Sequence, residues 1–186
     1  ILLASTFHPY VIFYLSVFFL SRRPWSKRVI AIIGVVAMAG GFTEFYVRLA
    51  AGATELLGHD YQEYGELSQK GMNFFRFLVW CVAPSLAWIY RHEITARKDQ
   101  TTGLFVNLAI LGWCFSFVAL FVSANMFGRM ARYFDPFVHV LLVTLFINYV
   151  PREKRGFNIA VCLLGFSIYF VVDLYLSDFV YRSILT

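Results

Sequence analysis

The sequence predicts an all-α, polytopic transmembrane bundle, and three observations lead to that class. Hydrophobic residues make up 60% of the 186 residues and aromatic residues 19%, well above the balance of soluble proteins. The apolar runs approach the length of a membrane span, and none alternates as the strands of a transmembrane β-barrel would. In lipid such runs are expected to be helices, because each must satisfy its own backbone hydrogen bonds.

Six apolar segments are predicted, at residues 1–20, 28–50, 73–90, 104–124, 136–150 and 157–176. The second is apolar only to Gly41, after which Glu44 and Arg48 share a helix face at i,i+4. The fifth is short for a span of about 20 residues. We expect a single integral membrane domain over residues 1–186. We also expect it to be the C-terminal part of a longer protein, because no Met or charged leader precedes the first apolar run.

The basic residues predict the orientation of the bundle. Most of them fall in three connections, which follow the first, third and fifth segments. Positive residues favour the cytoplasmic side, so these connections are expected inside and both chain ends outside. The three connections carry Arg22, Arg23, Lys27 and Arg28; Arg91, Arg97 and Lys98; and Arg152, Lys154 and Arg155. Because these charges lie in short connections, the net charge of +5 does not indicate nucleic-acid binding.

The longest outer connection, residues 43–71, is a candidate binding loop. It interleaves charged side chains with Tyr46, Tyr61 and Tyr64. Long loops often act as lids or binding loops, and aromatic rings among acids and amides are typical of sugar-binding surfaces. Arg48 and Tyr61 are therefore candidate substrate contacts. The alternative is a solvated acidic loop that only covers the bundle.

The stretch between the fourth and fifth segments carries the strongest chemical signal. Arg129 and Arg132 are three positions apart, and they share a face with Asn125 if the preceding helix continues. Two guanidinium groups hold diphosphate oxygens bidentately and stay charged at physiological pH. Asp135 and Pro136 are expected as N-cap and first residue of the next helix, whose N-terminus would add N–H groups and a positive dipole. The alternative is that both arginines snorkel to lipid phosphates.

Isolated polar residues in the apolar segments complete the candidate set. His8 is the candidate general base, because Pro9 beside it frees backbone groups, as happens where a helix lines a cavity. A helix–helix hydrogen bond is the alternative for His8, and the same holds for His139. Asp173 is either a base or the partner of an outer arginine. Arg76 is either a third phosphate contact or the partner of an outer acid.

Several other kinds of site have no support in the sequence. It contains no Gly-rich phosphate loop, nucleophile elbow or metal-ligand spacing, so neither a metal nor another cofactor is expected. Each of the three cysteines lies in an apolar segment and is interpreted as a buried hydrophobic residue.

The motifs together resemble a known family, the EpsG-like, Wzy-type polysaccharide polymerases, in its C-terminal part. The similar features are Phe7-His8 in a first apolar run, a basic turn after it, a Tyr-rich outer loop, and Gly128-Arg129-Met130-Ala131-Arg132-Tyr133-Phe134 before a late helix. The most specific piece is the Arg-x-x-x-Tyr-Phe core. The resemblance covers most of the chain.

The resemblance implies a metal-independent glycosyltransferase whose active face lies outside the bacterial cytoplasmic membrane. It would transfer a glycan from undecaprenyl diphosphate to a hydroxyl of the next lipid-linked repeat unit. Arg129 and Arg132 would neutralise the leaving diphosphate, Tyr133 would contact substrate, and His8 would accept the hydroxyl proton. The implied partners are the undecaprenyl diphosphate-linked oligosaccharide, membrane lipid, a flippase and a chain-length regulator, without nucleic acid.

Other function classes stay open at this point. A flippase or transporter for a lipid-linked oligosaccharide or anionic solute would favour internal repeats and broken helices near the membrane midplane. The sequence shows no repeat, and the hints of breaks are Pro9, Gly40-Gly41 and Pro84. An O-antigen ligase-type transferase would share the carrier lipid and differ in the acceptor. A non-catalytic membrane subunit would tolerate lysine in place of Arg129.

Overall fold

The computed structural model describes residues 14–42, 72–121 and 126–176, and every regular element within these ranges is a helix. In chain order the helices are α1 (Ser16–Phe19), α2 (Lys27–Phe42), α3 (Phe74–Ile89), α4 (Arg91–Arg97), α5 (Gln100–Phe121), α6 (Met126–Arg132), α7 (Asp135–Asn148) and α8 (Arg152–Leu176). They divide between two units, Ile1–Tyr149 and Val150–Thr186.

From the second predicted segment onward, each segment has a corresponding described helix with shifted ends, whereas most of the first segment lies outside the described residues. The predicted third segment and α3 agree to one residue at each end. By contrast, α5 and α8 begin four and five residues earlier than predicted, because polar residues form their first turns. Among the described residues, two helices are long and apolar enough to cross a membrane, namely α5 and residues Arg152–Val172 of α8. Since α3 and α7 are shorter, six spans are not confirmed.

Helix α5 is the central element of the first unit. It packs against all the other helices of that unit, α1, α2, α3, α4, α6 and α7. The consecutive residues Asn107, Leu108 and Ala109 have no exposed surface, so the helix is buried on every side. A helix with this property belongs in the middle of a bundle.

Glycines on α5 allow its neighbours to approach closely, as small residues do in membrane bundles. A Cβ built on Gly112 would lie 2.7 Å from Cζ3 of Trp80 and 2.8 Å from Cβ of Phe134. A Cβ on Gly103 would collide with the carbonyl oxygen of Arg22. These two positions fix where α3, the turn after α6 and the connection after α1 lie against α5.

The connection between α1 and α2 is fixed by Asn107. Its Oδ1 accepts the N–H of Trp25 at 2.9 Å, and its Nδ2 donates to the carbonyl oxygens of Ser21 and Arg23, each at 2.8 Å. The side chain of Arg91 donates to the carbonyl of Trp25. Two of the predicted basic connections therefore meet at the Gln100 end of α5.

The second of these connections is helical for most of its length. It forms α4, because Ile94 is 1% exposed and holds this helix against the core. This helix ends at Lys98, which adopts the left-handed conformation at φ 53°. Asp99 then starts α5: its Oδ1 accepts the N–H groups of Thr101 and Thr102 at 3.0 and 3.2 Å, as an N-cap does.

The second unit contains α8, which begins after Pro151. Its large apolar side chains are exposed along the helix, including Phe157, Leu163 and Phe170. Such a surface suits a helix surrounded by lipid.

Candidate arginine site on helices α6 and α7

Helix α6 places both predicted arginines on its exposed side. Phe127 and Ala131 are 6% and 1% exposed, and the next residue of this face, Phe134, is 1% exposed. Their spacing of four and three positions makes one buried stripe that packs on α5. Arg129 and Arg132 lie off this stripe and are exposed.

Helix α6 runs back along α5 instead of staying at its end. It starts five residues after Phe121, and at its far end Phe134 reaches the level of Gly112. The ring of Phe134 also stacks on Phe115, with centroids 5.8 Å apart. With a rise of about 1.5 Å per residue, the turn after α6 is roughly 14 Å from the Phe121 end of α5.

Helix α7 continues in the same direction and reaches the other end of α5. Its first turn places Phe137 5.9 Å from Phe105, measured between ring centroids, and after its last turn the hydroxyl of Tyr149 donates to Asp99 Oδ2 at 3.5 Å. Helix α6 has seven residues and α7 fourteen, and α5 beside them has 22. The two short helices together are therefore about as long as α5, and the interruption lies one third of the way along them.

The break between α6 and α7 is a tight turn with its backbone groups paired. The N–H groups of Tyr133 and Phe134 donate to the carbonyls of Met130 and Ala131 at 3.2 and 2.8 Å. This pairing allows a helix interruption inside an apolar bundle, where unpaired backbone groups are costly. It also accounts for the short fifth segment of the sequence.

The expected anion-binding N-terminus of α7 is largely absent, and this prediction was wrong. The N-cap is Phe134, and Asp135 and Pro136 are the first two helical residues. Pro136 has no N–H group, and those of Phe137 and Val138 both donate to the carbonyl of Phe134 at 3.1 Å. The chain enters α7 directly from a turn, which uses the donors that an anion would need.

Aromatic rings line the side of the break. Tyr14 makes edge contacts with Tyr133 and Phe137, at centroid distances of 5.7 and 5.9 Å. Tyr14 and Tyr133 are both half-buried. Such rings offer faces and hydroxyls of the kind that sugars bind; the substrate contact of Tyr133 stays a prediction, and Tyr14 is its aromatic neighbour.

Asp135 is the acidic residue of this region. It is half-buried, and Arg132 and His139 lie close enough for their charges to act on its carboxyl group. His139 Nδ1 donates to the backbone carbonyl of Asp135 at 2.7 Å, which is a hydrogen bond within the helix. Among the described residues, no group of three or more His, Cys, Asp or Glu side chains could hold a metal ion. The described part of this region thus offers a ligand two arginine side chains and one carboxylate.

Comparison with protein families gives a match that covers nearly the whole sequence. The EpsG family model matches residues 1–184. The chain belongs to the EpsG family. The comparison with curated proteins and that with solved structures gave no match.

EpsG-like proteins are Wzy-type polysaccharide polymerases. Membership of the EpsG family, together with the two span-length apolar helices, indicates a membrane protein of polysaccharide biosynthesis. It implies a glycosyltransferase-type polymerase acting on a lipid-linked saccharide in the membrane. The resemblance inferred from the arginine motif is thereby confirmed at the level of the family.

The remaining predicted site residues are only partly described. Arg76 lies in the first turn of α3 and is half-buried. Asp173 lies in α8, in the second unit, and its side chain is outside the described set. The candidates outside the described residues are His8, Arg48, Tyr61 and Asn125. Of the predicted set, Arg129, Arg132 and Tyr133 thus lie on α6 or directly after it.

Sequence reasoning missed two residues of this region. Tyr14 lies in the first apolar segment, where nothing local distinguishes it from its apolar neighbours. Asp135 was considered only as a helix cap. The sequence did contain a signal for Asp135, because it is an acidic residue three positions after Arg132 in a chain with few charges. A charged residue within a lipid-embedded region is a candidate functional residue.

Proposed function

We propose that this EpsG-family protein transfers a growing glycan from undecaprenyl diphosphate to a hydroxyl of a lipid-linked repeat unit. The reaction takes place on the outer face of the bacterial cytoplasmic membrane. The observation that carries the proposal is the position of Arg129 and Arg132, which share the exposed side of α6 while its other side is packed on α5. Family membership over residues 1–184 supports the polymerase class.

The arginines act on the leaving group. As the glycosidic bond to the diphosphate breaks, negative charge grows on the diphosphate oxygens. Guanidinium groups held by a rigid helix stabilise this charge without reorganising, and loss of one such group typically costs about 10²–10³-fold in rate. The fork geometry of arginine holds two oxygens at once, which lysine cannot do.

Other residues supply binding and partners. Tyr133 contacts the sugar, and Arg76 and Asn125 contact the carrier phosphates. Arg48 and Tyr61 belong to the outer loop that holds the saccharide, Asp173 is a further contact, and His8 stays a candidate base. The reaction needs no metal in this proposal. A flippase that delivers the repeat unit and a chain-length regulator are the expected protein partners.

The test replaces each arginine by lysine in the full-length protein. Arg129→Lys and Arg132→Lys keep the charge and remove the bidentate fork, so we expect long polymer to disappear from the gel profile while membrane levels stay normal. Arg28→Lys on α2 is the matched control, because this exposed arginine lies near the opposite end of the bundle. A wild-type chain-length distribution from both site variants would overturn the proposal.

A transporter is the second candidate, because broken helices inside the bundle are common in that class. The interruption between α6 and α7 is the observation in its favour. Purified protein in detergent separates the two functions. A polymerase lengthens a lipid-linked glycan there, whereas a transporter moves labelled lipid-linked glycan only across the membrane of reconstituted vesicles. A single transfer to a different acceptor would instead indicate an O-antigen ligase-type enzyme.

A further inference from the structure

The position of Asp135 sets it apart from the other acidic residues of the first unit. Among the described residues of that unit, Glu93 lies on α4 and Asp99 caps α5, both near the Gln100 end of α5. Asp135 instead follows the break between α6 and α7, about midway along α5. Among the acidic residues described in the first unit, Asp135 is thus the one that lies near Arg132 and Tyr133.

The carboxylate of Asp135 is not occupied by a structural task that the described residues reveal. The N-cap of α7 is Phe134, and no side chain caps that helix. His139 binds the backbone carbonyl of Asp135, not its carboxylate. A half-buried carboxylate in an apolar bundle is costly unless it is paired or used. Its oxygens can accept a hydrogen bond from a substrate.

The groups around Asp135 suit an acceptor sugar. Arg132 precedes it by three residues, so the cation that would hold the leaving diphosphate acts on the same carboxyl group. Tyr14 and Tyr133 contact each other beside the break, and Tyr14 also contacts Phe137, two residues after Asp135. A sugar that stacks on these rings would bring a hydroxyl into the region of the carboxylate.

We infer that Asp135 is the general base that takes the proton of the acceptor hydroxyl, and that Tyr14 and Tyr133 form the wall that holds the acceptor sugar. This inference rests on the proposed polymerase function and assigns the role of base at its site to Asp135 instead of His8. The acceptor oxygen forms a bond to the anomeric carbon as the bond from that carbon to the diphosphate oxygen breaks. The bonding electrons leave with undecaprenyl diphosphate beside Arg129 and Arg132, and the hydroxyl proton moves to Asp135.

The test separates proton transfer from binding. Purified full-length protein with Asp135→Asn should still bind radiolabelled undecaprenyl diphosphate, but its transfer rate should fall by about 10²–10⁴-fold, the usual contribution of a general base. Asp135→Glu restores a carboxylate and should recover part of that rate. In the wild type the rate should fall on acidification, and Asp135→Asn should lose this acidic limb. The described charged groups that act on Asp135 are Arg132 and His139.

The matched control is Asp99→Asn, which changes a carboxylate at the other end of α5. It should lower stability and keep the pH profile of transfer. If Asp135→Asn kept the wild-type transfer rate and pH profile, the inference about Asp135 would be overturned. In that case, loss of activity in Arg132→Lys in the same assay would still support the polymerase proposal. Loss of carrier binding in Asp135→Asn would also overturn the inference about Asp135, because the carboxylate would then only hold Arg132 in place.

The aromatic wall has its own readout. Tyr14→Leu should raise the KM for the lipid-linked acceptor several-fold and leave binding of undecaprenyl diphosphate unchanged. An unchanged acceptor KM would exclude Tyr14 from the acceptor site. If Arg129→Lys and Arg132→Lys kept full activity, the proposed polymerase function itself would fail. That result is distinct from a failure of the roles inferred for Asp135 or Tyr14.

Discussion

Replacement of Gly112 by alanine tests whether the turn between α6 and α7 must lie directly on α5. The added Cβ would be 2.8 Å from Cβ of Phe134 and 2.7 Å from Cζ3 of Trp80. Ordinary contact begins at 3.4 Å, so Phe134 would have to move by about 0.6 Å, the difference of the two distances. A Cβ atom is bonded to the backbone, so the turn itself must shift.

The expected cost follows from these contacts. Overpacking of a core costs about 1–3 kcal/mol, and alanine is about 1 kcal/mol better than glycine in a helix. The net loss of stability is therefore at most about 2 kcal/mol, and the protein should still insert and fold. Because Arg132 and Asp135 flank the shifted turn, we expect polymerisation to slow by about 10-fold or more, since a 1 Å misplacement can cost about 100-fold.

The assay compares initial rates of glycan lengthening at equal amounts of membrane protein. Gly34→Ala on α2 is the matched control, because a Cβ there meets nothing within 4 Å. This control should keep wild-type activity and gain slightly in helix stability. Equal rates for Gly112→Ala and Gly34→Ala would refute the conclusion that the break is held against α5.

Two further predictions concern the Gln100 end of the bundle. Asn107→Leu leaves three backbone groups of residues 21–25 without their hydrogen-bond partner, so it should lower the stability of the protein by about 2–4 kcal/mol. Thermal unfolding in detergent measures this loss. The control is Asn148→Leu at an exposed position, which should change the stability little. The hydrogen bond from Thr102 lowers the pKa of Asp99, and the N–H groups of Thr101 and Thr102 add to this. The ionised Asp99 carboxylate therefore stabilises the fold fully above the pKa of about 3.9 that it has in the unfolded chain. This stabilisation disappears as the pH falls through the lower pKa of Asp99 in the folded protein. The stability difference between wild type and Asp99→Asn should vanish in that acidic range; a difference that persists there would contradict the assigned cap.

The placement of the arginines shows how far local sequence reasoning reaches. The spacing of Arg129 and Arg132 and their position after an apolar run were sufficient to predict that they share a helix face and, with the other motifs, to suggest the family. They did not predict that this helix folds back along α5. That path is fixed by Phe134 against Gly112, a contact between residues far apart in the sequence.

The same limit explains the error at Asp135. Asp-Pro before an apolar run is a usual helix start, and the helix does begin there. The cap was misplaced because the chain arrives from a turn, so the carbonyl of Phe134 already accepts the first N–H groups. That the Asp135 side chain does not cap α7 follows from the turn, which the local pattern does not encode.

The amino-acid sequence alone determined the helical membrane class, the approximate helix positions, the basic connections and the arginine motif, because hydrophobicity, charge and short spacings are local properties of the chain. Only the tertiary structure decided that α6 and α7 form one interrupted element beside α5, and that Tyr14 meets Tyr133 at the interruption. These features depend on close packing at Gly112, which is set by the shapes of several helices at once.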